Sequence, residues 1–420
     1  MSSYRSSFAP GHLPAESQVS GAGVARAAVK AGQWFVFGFL PLSIFCWWVS
    51  FSAIDPSGDW GFDFQQFWQG GRDVTHGVSP YPDAPPPASD KYDFHDVRTE
   101  FRFPYPAGAA LAFAPFGVLG LEAASVVWGA LIVASLVATV WILDVRDWRV
   151  AGVMLGSPAV IGAVRPGTVT PVLMLLLATA WRWRDRRWVA AGSLGAAIAL
   201  KIFLWPLVFW LVATRRFAAA AYSAALAATI TCVAWAVIGF DGLGTYPELV
   251  RNLAASMADR GYSLVALGAA TGLPGEAERL LPWLVGVPLL ALAPVVARGE
   301  DGDRRAFSVT IVASLALTPI VWLHYFALLV VPLCLARPRL AWAWGAMWLL
   351  WLTPGHVSHG DVWRIALGTA VMSAVLVVSV RARERSPACG RATVPSTFAG
   401  ALRPRAGSVT SPPARRRRTA

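Results

Sequence analysis

Apolar runs of about membrane length follow one another along this chain, at 34–53, 122–143, 150–164, 168–183, 188–201, 202–214, 218–239, 279–297, 306–323, 325–336, 340–353 and 362–380. A chain with so many such runs does not fold round a single water-facing core, and in a bilayer each run must satisfy its own backbone polar groups as a helix. The runs predict an all-α polytopic membrane protein with about 12 transmembrane helices. Several end at Pro or Gly (Pro166, Gly167, Pro206, Pro319, Pro332, Pro354), as helices do where they stop at a cavity and protein or water covers the freed backbone.

Charge sets the expected topology. The net charge is +12, but the basic residues punctuate the apolar runs and crowd the tail rather than forming the stripe that nucleic acid requires. The segment 104–118, PYPAGAALAFAPFGV, is apolar too. A span there would put Arg146, Arg149 and the cluster RWRDRR at 182–187 outside, so it is expected to lie in the membrane interface. The loops 144–149, 182–187, 215–216, 298–305 and 337–339 then face the cytoplasm with most of the 36 basic residues, and both termini are inside. Most of the 24 acidic residues face outward, together with two large extracytoplasmic loops, 54–121 and 240–278.

Residues 1–33 are expected to be a disordered cytoplasmic N-terminus, 34–380 the membrane domain, and 381–420, which ends RRRRTA, a disordered basic cytoplasmic tail that touches anionic headgroups. The first apolar run is too long and too tryptophan-rich for a cleaved signal, so it reads as a retained helix. Cys46, Cys232 and Cys334 lie within expected spans and Cys389 in the tail, so no extracellular bridge is expected. Long acidic, aromatic loops on one side suit an enzyme or receptor better than a channel. The lack of an inverted repeat argues against a transporter.

Asp55, Asp59 and Asp63 recur every fourth residue, but Pro56, Ser57 and Gly58 interrupt any helix joining them, which leaves Asp63 as the candidate. It sits in GFDFQQFWQG, at 61–70, between aromatic side chains. A carboxylate so flanked is partly desolvated and suited to take a proton from a hydroxyl nucleophile. Lys201 stands between AAGSLGAAIAL and IFLWPLVFW, where a central charge costs about 2.5–3.5 kcal/mol. Its natural partner is an anion such as a lipid phosphate; the alternative is snorkelling to the outer headgroups. Arg165 interrupts SPAVIGAVRPGTVTPVL at a Pro-Gly break and either shares that anion or caps its own helix.

His324 lies in LTPIVWLHYF beside Trp322 and Tyr325, at the same expected depth as Asp63, Lys201 and Arg165. Four ionisable groups at one depth mark a candidate active site, with Asp63 and His324 catalytic and Lys201, Arg165 and Trp322 binding substrate. His356 and His359 are three apart with no cysteine nearby, a weak pattern for zinc. Neither a metal nor a cofactor is expected.

Several segments, taken in order over roughly 34–380, resemble glycosyltransferase family 87, the polyprenyl-phosphate-sugar-dependent transferases of the C-type (GT-C) membrane superfamily. They are Asp63-Phe64, Phe67-Trp68, Gly77 and Pro80-Tyr81; then Tyr105-Pro106, Gly167-Thr168, the Gly-rich helix from Gly192 to Lys201, and Thr318 to Tyr325. Ala107, Thr168, Ile202 and Tyr325 stand where the family pattern has Pro, Gln, Pro and His. The resemblance implies a GT-C architecture and inverting transfer of mannose, or of arabinofuranose, from a polyprenyl monophosphate to a glycolipid or glycan hydroxyl outside the plasma membrane. Asp63 would act as base, Lys201, Arg165 and His324 would stabilise the departing phosphate, and Tyr81 and Tyr105 would bind substrate, with no metal required. A flippase for a lipid-linked anion would use the same cations but not the base, and a non-catalytic assembly subunit would need neither. High Ala, Arg, Gly and Trp usage suits a high-GC bacterium such as an actinobacterium.

Overall fold

The computed structural model describes residues 21–54, 61–89, 100–257, 261–353 and 361–382, all within one compact unit, residues 1–383. Asp55, Asp59, His356, His359 and nearly all of the basic tail lie outside the described residues. Among the described residues there are helices and turns but no strands. In chain order the helices are α1 (Gly21–Trp34), α2 (Leu40–Ile54), α3 (Phe62–Thr75), α4 (Ala107–Gly117), α5 (Leu121–Ile142), α6 (Trp148–Leu155), α7 (Pro158–Val164), α8 (Thr170–Arg182) and α9 (Arg187–Leu200). There follow α10 (Leu207–Ala213), α11 (Phe217–Val237), α12 (Tyr246–Ser256), α13 (Leu264–Ala270), α14 (Gly275–Val296), α15 (Gly302–Leu317), α16 (Val330–Ala336), α17 (Gly345–Leu349) and α18 (Val362–Arg381).

Five helical stretches, 23–50, α5, α11, α14 and α18, are long and apolar enough to cross a membrane. Their outward faces stay apolar: Val126 and Trp141 on α5 are 74% and 76% exposed, as suits surfaces that meet lipid. The other apolar runs form shorter helices. The run 150–164 divides into α6 and α7 where Ser157 caps α7, accepting from the Val160 N–H, with Pro158 in the first turn. The run 306–323 stops as α15 at Leu317, ahead of Pro319, and resumes in the 3₁₀ turn Leu323–Leu329 that leads into α16. The segment 104–118, expected to lie in the membrane interface, contains α4.

One boundary differs from expectation. Residues 21–33, expected within the disordered N-terminus, are helical and continue through a π turn, Phe35–Phe39, into α2. Arg26 and Lys30 end the apolar run but not the helix, because Ala, Arg and Lys are all good helix formers.

Small residues bring the helices close. A Cβ on Gly71 would stand 2.3 Å from the Phe113 carbonyl oxygen, and one on Gly117 2.4 Å from the Arg72 nitrogen, so α3 and α4 meet backbone to backbone. Gly108 and Gly195 likewise press α4 and α11 against α9.

Charged side chains gather at the opposite end of the bundle from Lys201. Asp303 accepts hydrogen bonds from Arg184 (2.6 Å), Trp210 Nε1 (2.7 Å) and Arg216 (2.8 and 3.0 Å), and Arg216 also holds Asp185 at 2.7 Å. Asp147 accepts from Arg149 and from the Leu340 N–H at 2.9 Å. The hydrogen bond from Arg149 chiefly holds the Asp147 carboxyl down at about 2. Replacing Asp303 removes the acceptor shared by two half-buried guanidiniums and an indole N–H, although Arg216 keeps Asp185 and Arg184 keeps the Trp181 carbonyl. Asp303→Ala is therefore expected to cost about 2–4 kcal/mol of stability, read as a lower thermal midpoint in detergent; an unchanged midpoint would show that the pairs contribute nothing.

Candidate active site

Asp63 owes its position to two backbone pairings. The helix α3 begins after Gly61, which sits at φ +65°, a left-handed conformation that costs glycine little. The Gly61 N–H donates to the Arg165 carbonyl at 2.8 Å and the Phe64 N–H to the Pro166 carbonyl at 3.1 Å. Free donors of the first turn of α3 are thus met by the carbonyls freed at the Pro166-Gly167 break. Gly167, at φ +72°, leaves no room for a side chain, since a Cβ would lie 2.8 Å from that of Phe64. Its carbonyl accepts from Trp128 Nε1 at 2.8 Å, and the Trp128 ring stacks on Phe64 at 5.9 Å.

Asp63, 7% exposed, lies beside Tyr105, close enough for its carboxylate to act on the phenol. Tyr105 is held firmly. Its ring stacks on Phe67 with centroids 4.1 Å apart, and its carbonyl accepts from the Tyr81 hydroxyl at 2.8 Å. Tyr81 in turn stacks on Trp235 at 4.8 Å and lies edge-on to Tyr246 at 5.3 Å. Burial pushes the Tyr81 phenol well above its ordinary value, so it remains a neutral donor. Tyr81 therefore supports Tyr105 from behind, with its hydroxyl already engaged.

Lys201 ends α9 in extended backbone and is also 7% exposed. Its Nζ donates to the Tyr325 hydroxyl at 2.9 Å and lies 4.6 Å from the Tyr105 ring centroid and 4.9 Å from that of Tyr325. Tyr325 stacks on Phe203 at 4.9 Å and is in ring contact with His324 at 4.8 Å. His324 is buried, and its Nε2 has no hydrogen-bond partner among the described residues. Such a nitrogen is costly to leave unsatisfied.

Four of the residues singled out from the sequence, Asp63, Tyr105, Lys201 and His324, thus form one buried chain of contacts. Arg165 joins it through its main chain, while its guanidinium lies 5.2 Å from the Trp48 ring centroid. Trp322 is partly buried at the start of the 3₁₀ turn that carries His324. Sequence reasoning did not assign a role to Tyr325, the hydrogen-bond partner of Lys201. Its place beside His324, where the family pattern has a second histidine, was the available signal. Nothing local pointed to Tyr246, whose hydroxyl donates to the Pro104 carbonyl at 3.3 Å. Among the described residues no three His, Cys, Asp or Glu side chains converge as a metal-binding group.

The helices α8, α9 and α15 each run between this cluster and the ionic end of the bundle. At one end of them lie the Gly167 break, Lys201 and Thr318; at the other lie Arg184, Asp185 and Asp303. What the arrangement offers chemically is a carboxylate and an ammonium that both neighbour one tyrosine, with an imidazole that has an open nitrogen close by.

Comparison with known proteins gives this cluster a context. A polyprenol-phosphate-mannose-dependent alpha-(1-2)-phosphatidylinositol mannoside mannosyltransferase of Mycolicibacterium smegmatis is 26% identical over 402 residues, spanning 83% of this chain and 89% of its own. A polyprenol-phosphate-mannose-dependent alpha-(1-2)-phosphatidylinositol pentamannoside mannosyltransferase of the same organism is 26% identical over 336 residues, 70% of this chain and 77% of its own. One of that description from Mycobacterium tuberculosis is 23% identical over 367 residues, 76% and 80% of the two chains. No solved structure matches the chain. The model of glycosyltransferase family 87 matches residues 103–323, more than half of the 420 residues, and takes in Tyr105, Arg165, Lys201 and Trp322. The chain therefore belongs to glycosyltransferase family 87 and is a membrane hexosyltransferase.

Proposed function

We propose that the enzyme transfers mannose, with inversion, from a polyprenyl-monophosphate donor to a hydroxyl of a phosphatidylinositol-mannoside-like glycolipid on the extracytoplasmic face. The observation that carries this is the buried contact chain from Asp63 through Tyr105 and Lys201 to Tyr325 and His324. The acceptor oxygen attacks the anomeric carbon and passes its proton to Asp63. The bond from that carbon to the phosphate oxygen breaks, and its electron pair leaves with polyprenyl phosphate. Lys201 neutralises the charge that grows on this leaving group, and His324 Nε2 gains a partner in a phosphate oxygen or sugar hydroxyl. Arg165 and Trp322 flank the lipid side. Tyr105 orients the carboxylate.

The extracytoplasmic placement is supported by the two ends of the bundle. Loops 182–187, 215–216 and 298–305 are tied together by ion pairs at one end, and the positive-inside rule assigns that end to the cytoplasm. The Asp63 cluster lies at the other. About 12 crossings, some made by paired short helices, remain our reading of the membrane topology.

The test is transfer of radiolabelled sugar by the purified protein in nanodiscs, with polyprenyl-phosphate-mannose and polyprenyl-phosphate-arabinofuranose offered separately and phosphatidylinositol mannosides as acceptor. Transfer from the mannose donor alone is expected. Transfer only from arabinofuranose would replace the donor, and none from either would move the assignment to a flippase. In the same assay Tyr81→Phe is expected to lower kcat about threefold to tenfold, since one hydrogen bond that positions Tyr105 is lost. An unchanged rate would show that ring stacking alone holds Tyr105.

A further inference from the structure

Helix α3 has two faces of different chemistry. Asp63, Phe64, Phe67, Gly70, Gly71 and Val74 are buried, whereas Gln65, Gln69 and Asp73 recur at helical spacing on the opposite side. That second face lines a cleft of about 920 Å³ whose other walls include Ser79 and Arg102, a volume that accommodates a sizeable ligand. Asp63, Tyr105, Lys201 and His324 do not line it, whereas Tyr81, which supports Tyr105, does.

The lining sets amide and charged side chains on one wall against apolar ones, Phe62, Val78, Pro80 and Leu121 among them. Gln65 and Gln69 are exposed amides, each able to donate and to accept. Gln69 Nε2 donates to Asp73 at 2.7 Å, which orients its carbonyl oxygen and leaves that atom able to accept. Burial is the main influence pushing the Asp73 carboxyl up from its ordinary value, so hydroxyl donors reaching it would be favourable. Carboxylates (Asp73, Glu100) and a guanidinium (Arg102) share the cleft, a mixture that suits hydroxyl groups better than a phosphate. The Trp68 indole, fixed by its N–H donating to the Leu119 carbonyl at 3.0 Å, adds a flat apolar wall of the sort against which a sugar ring packs.

We infer that this cleft binds a neutral polyhydroxylated group, the sugar portion of the acceptor that lies away from the reacting hydroxyl. The inference rests on the transferase reading and adds to it the recognition of a longer glycan. A helix with its side chains is about 10–12 Å across, so a ligand that occupies the cleft and also reaches Asp63 round α3 must carry more than one sugar.

The experiment compares wild type with the double variant Gln65→Ala/Gln69→Ala, both full-length and in nanodiscs, using phosphatidylinositol monomannoside and pentamannoside as acceptors. Both positions are exposed, so the fold should persist. The pentamannoside KM is expected to rise about fivefold to tenfold from the loss of one or two hydrogen bonds, with kcat, the donor KM and the monomannoside KM little changed. An unchanged pentamannoside KM would overturn the inference. Saturation-transfer NMR with mannotriose gives a readout that needs no catalysis. A signal present in wild type and lost in the variant supports the cleft even if no transfer is seen, in which case the transferase reading alone falls. A signal absent from wild type, or equal in both proteins, overturns the cleft.

Discussion

Asp63→Asn is expected to lower the rate of sugar transfer about 10²–10⁴-fold while leaving the donor KM within about twofold and the thermal midpoint unchanged. The amide matches the carboxylate in size and can still sit beside Tyr105, so the local packing has no reason to move. What it lacks is the ability to take a proton. The acceptor hydroxyl must lose its proton as it attacks, and without a base the alcohol is a poor nucleophile. A loss in kcat with little change in KM is the signature of an interaction made in the transition state. The same variant separates catalysis from lipid translocation, because a flippase has no hydroxyl to deprotonate and would tolerate the amide. Single-turnover transfer with the donor in excess is the direct measurement. A residual rate within tenfold of wild type would remove Asp63 from the base role.

The coincidence of Asp63, Lys201 and His324 was legible in the sequence because each interrupts or borders an apolar run, and the depth of a residue in a membrane helix follows from counting along that run; the Arg165 guanidinium, expected with them, lies against Trp48 instead. The linkage among the three was not legible. Tyr105 meets Asp63 only because α3 and α4 approach as closely as Gly71 and Gly117 permit, and no local pattern reports a distance between two helices. Tyr81 is similar: Trp235 and Tyr246, which bury it, come from far along the chain. Hydropathy also misplaced the start of the first helix, since it measures apolarity and not helicity, and α1 carries Arg26 and Lys30 as a helix before its apolar stretch begins. The short helices α6, α7 and α10 show the converse. There the apolar run continues, but Ser157 and Pro206 divide it, because a side-chain cap or a missing N–H decides where a helix ends whatever the hydropathy.

Lys201→Met should lower transfer about 10²–10³-fold, the range measured when a single group that stabilises developing charge is removed. Methionine retains the length and packing of the lysine stem against the Tyr105 and Tyr325 rings but carries no charge. In the donor the phosphate links sugar to lipid and bears one negative charge; as the sugar leaves, a second develops on the released monoester. An ammonium beside it is therefore worth more in the transition state than in the bound donor, and kcat should fall further than KM rises. Stability distinguishes this role from a structural one. Taking a charge out of water is expensive, and replacing a buried charged group by an apolar one of similar shape is often neutral or stabilising, so the thermal midpoint should hold or rise while activity collapses. A parallel loss of stability and activity would instead make Lys201 a structural tether, its ammonium serving only the 2.9 Å bond to Tyr325.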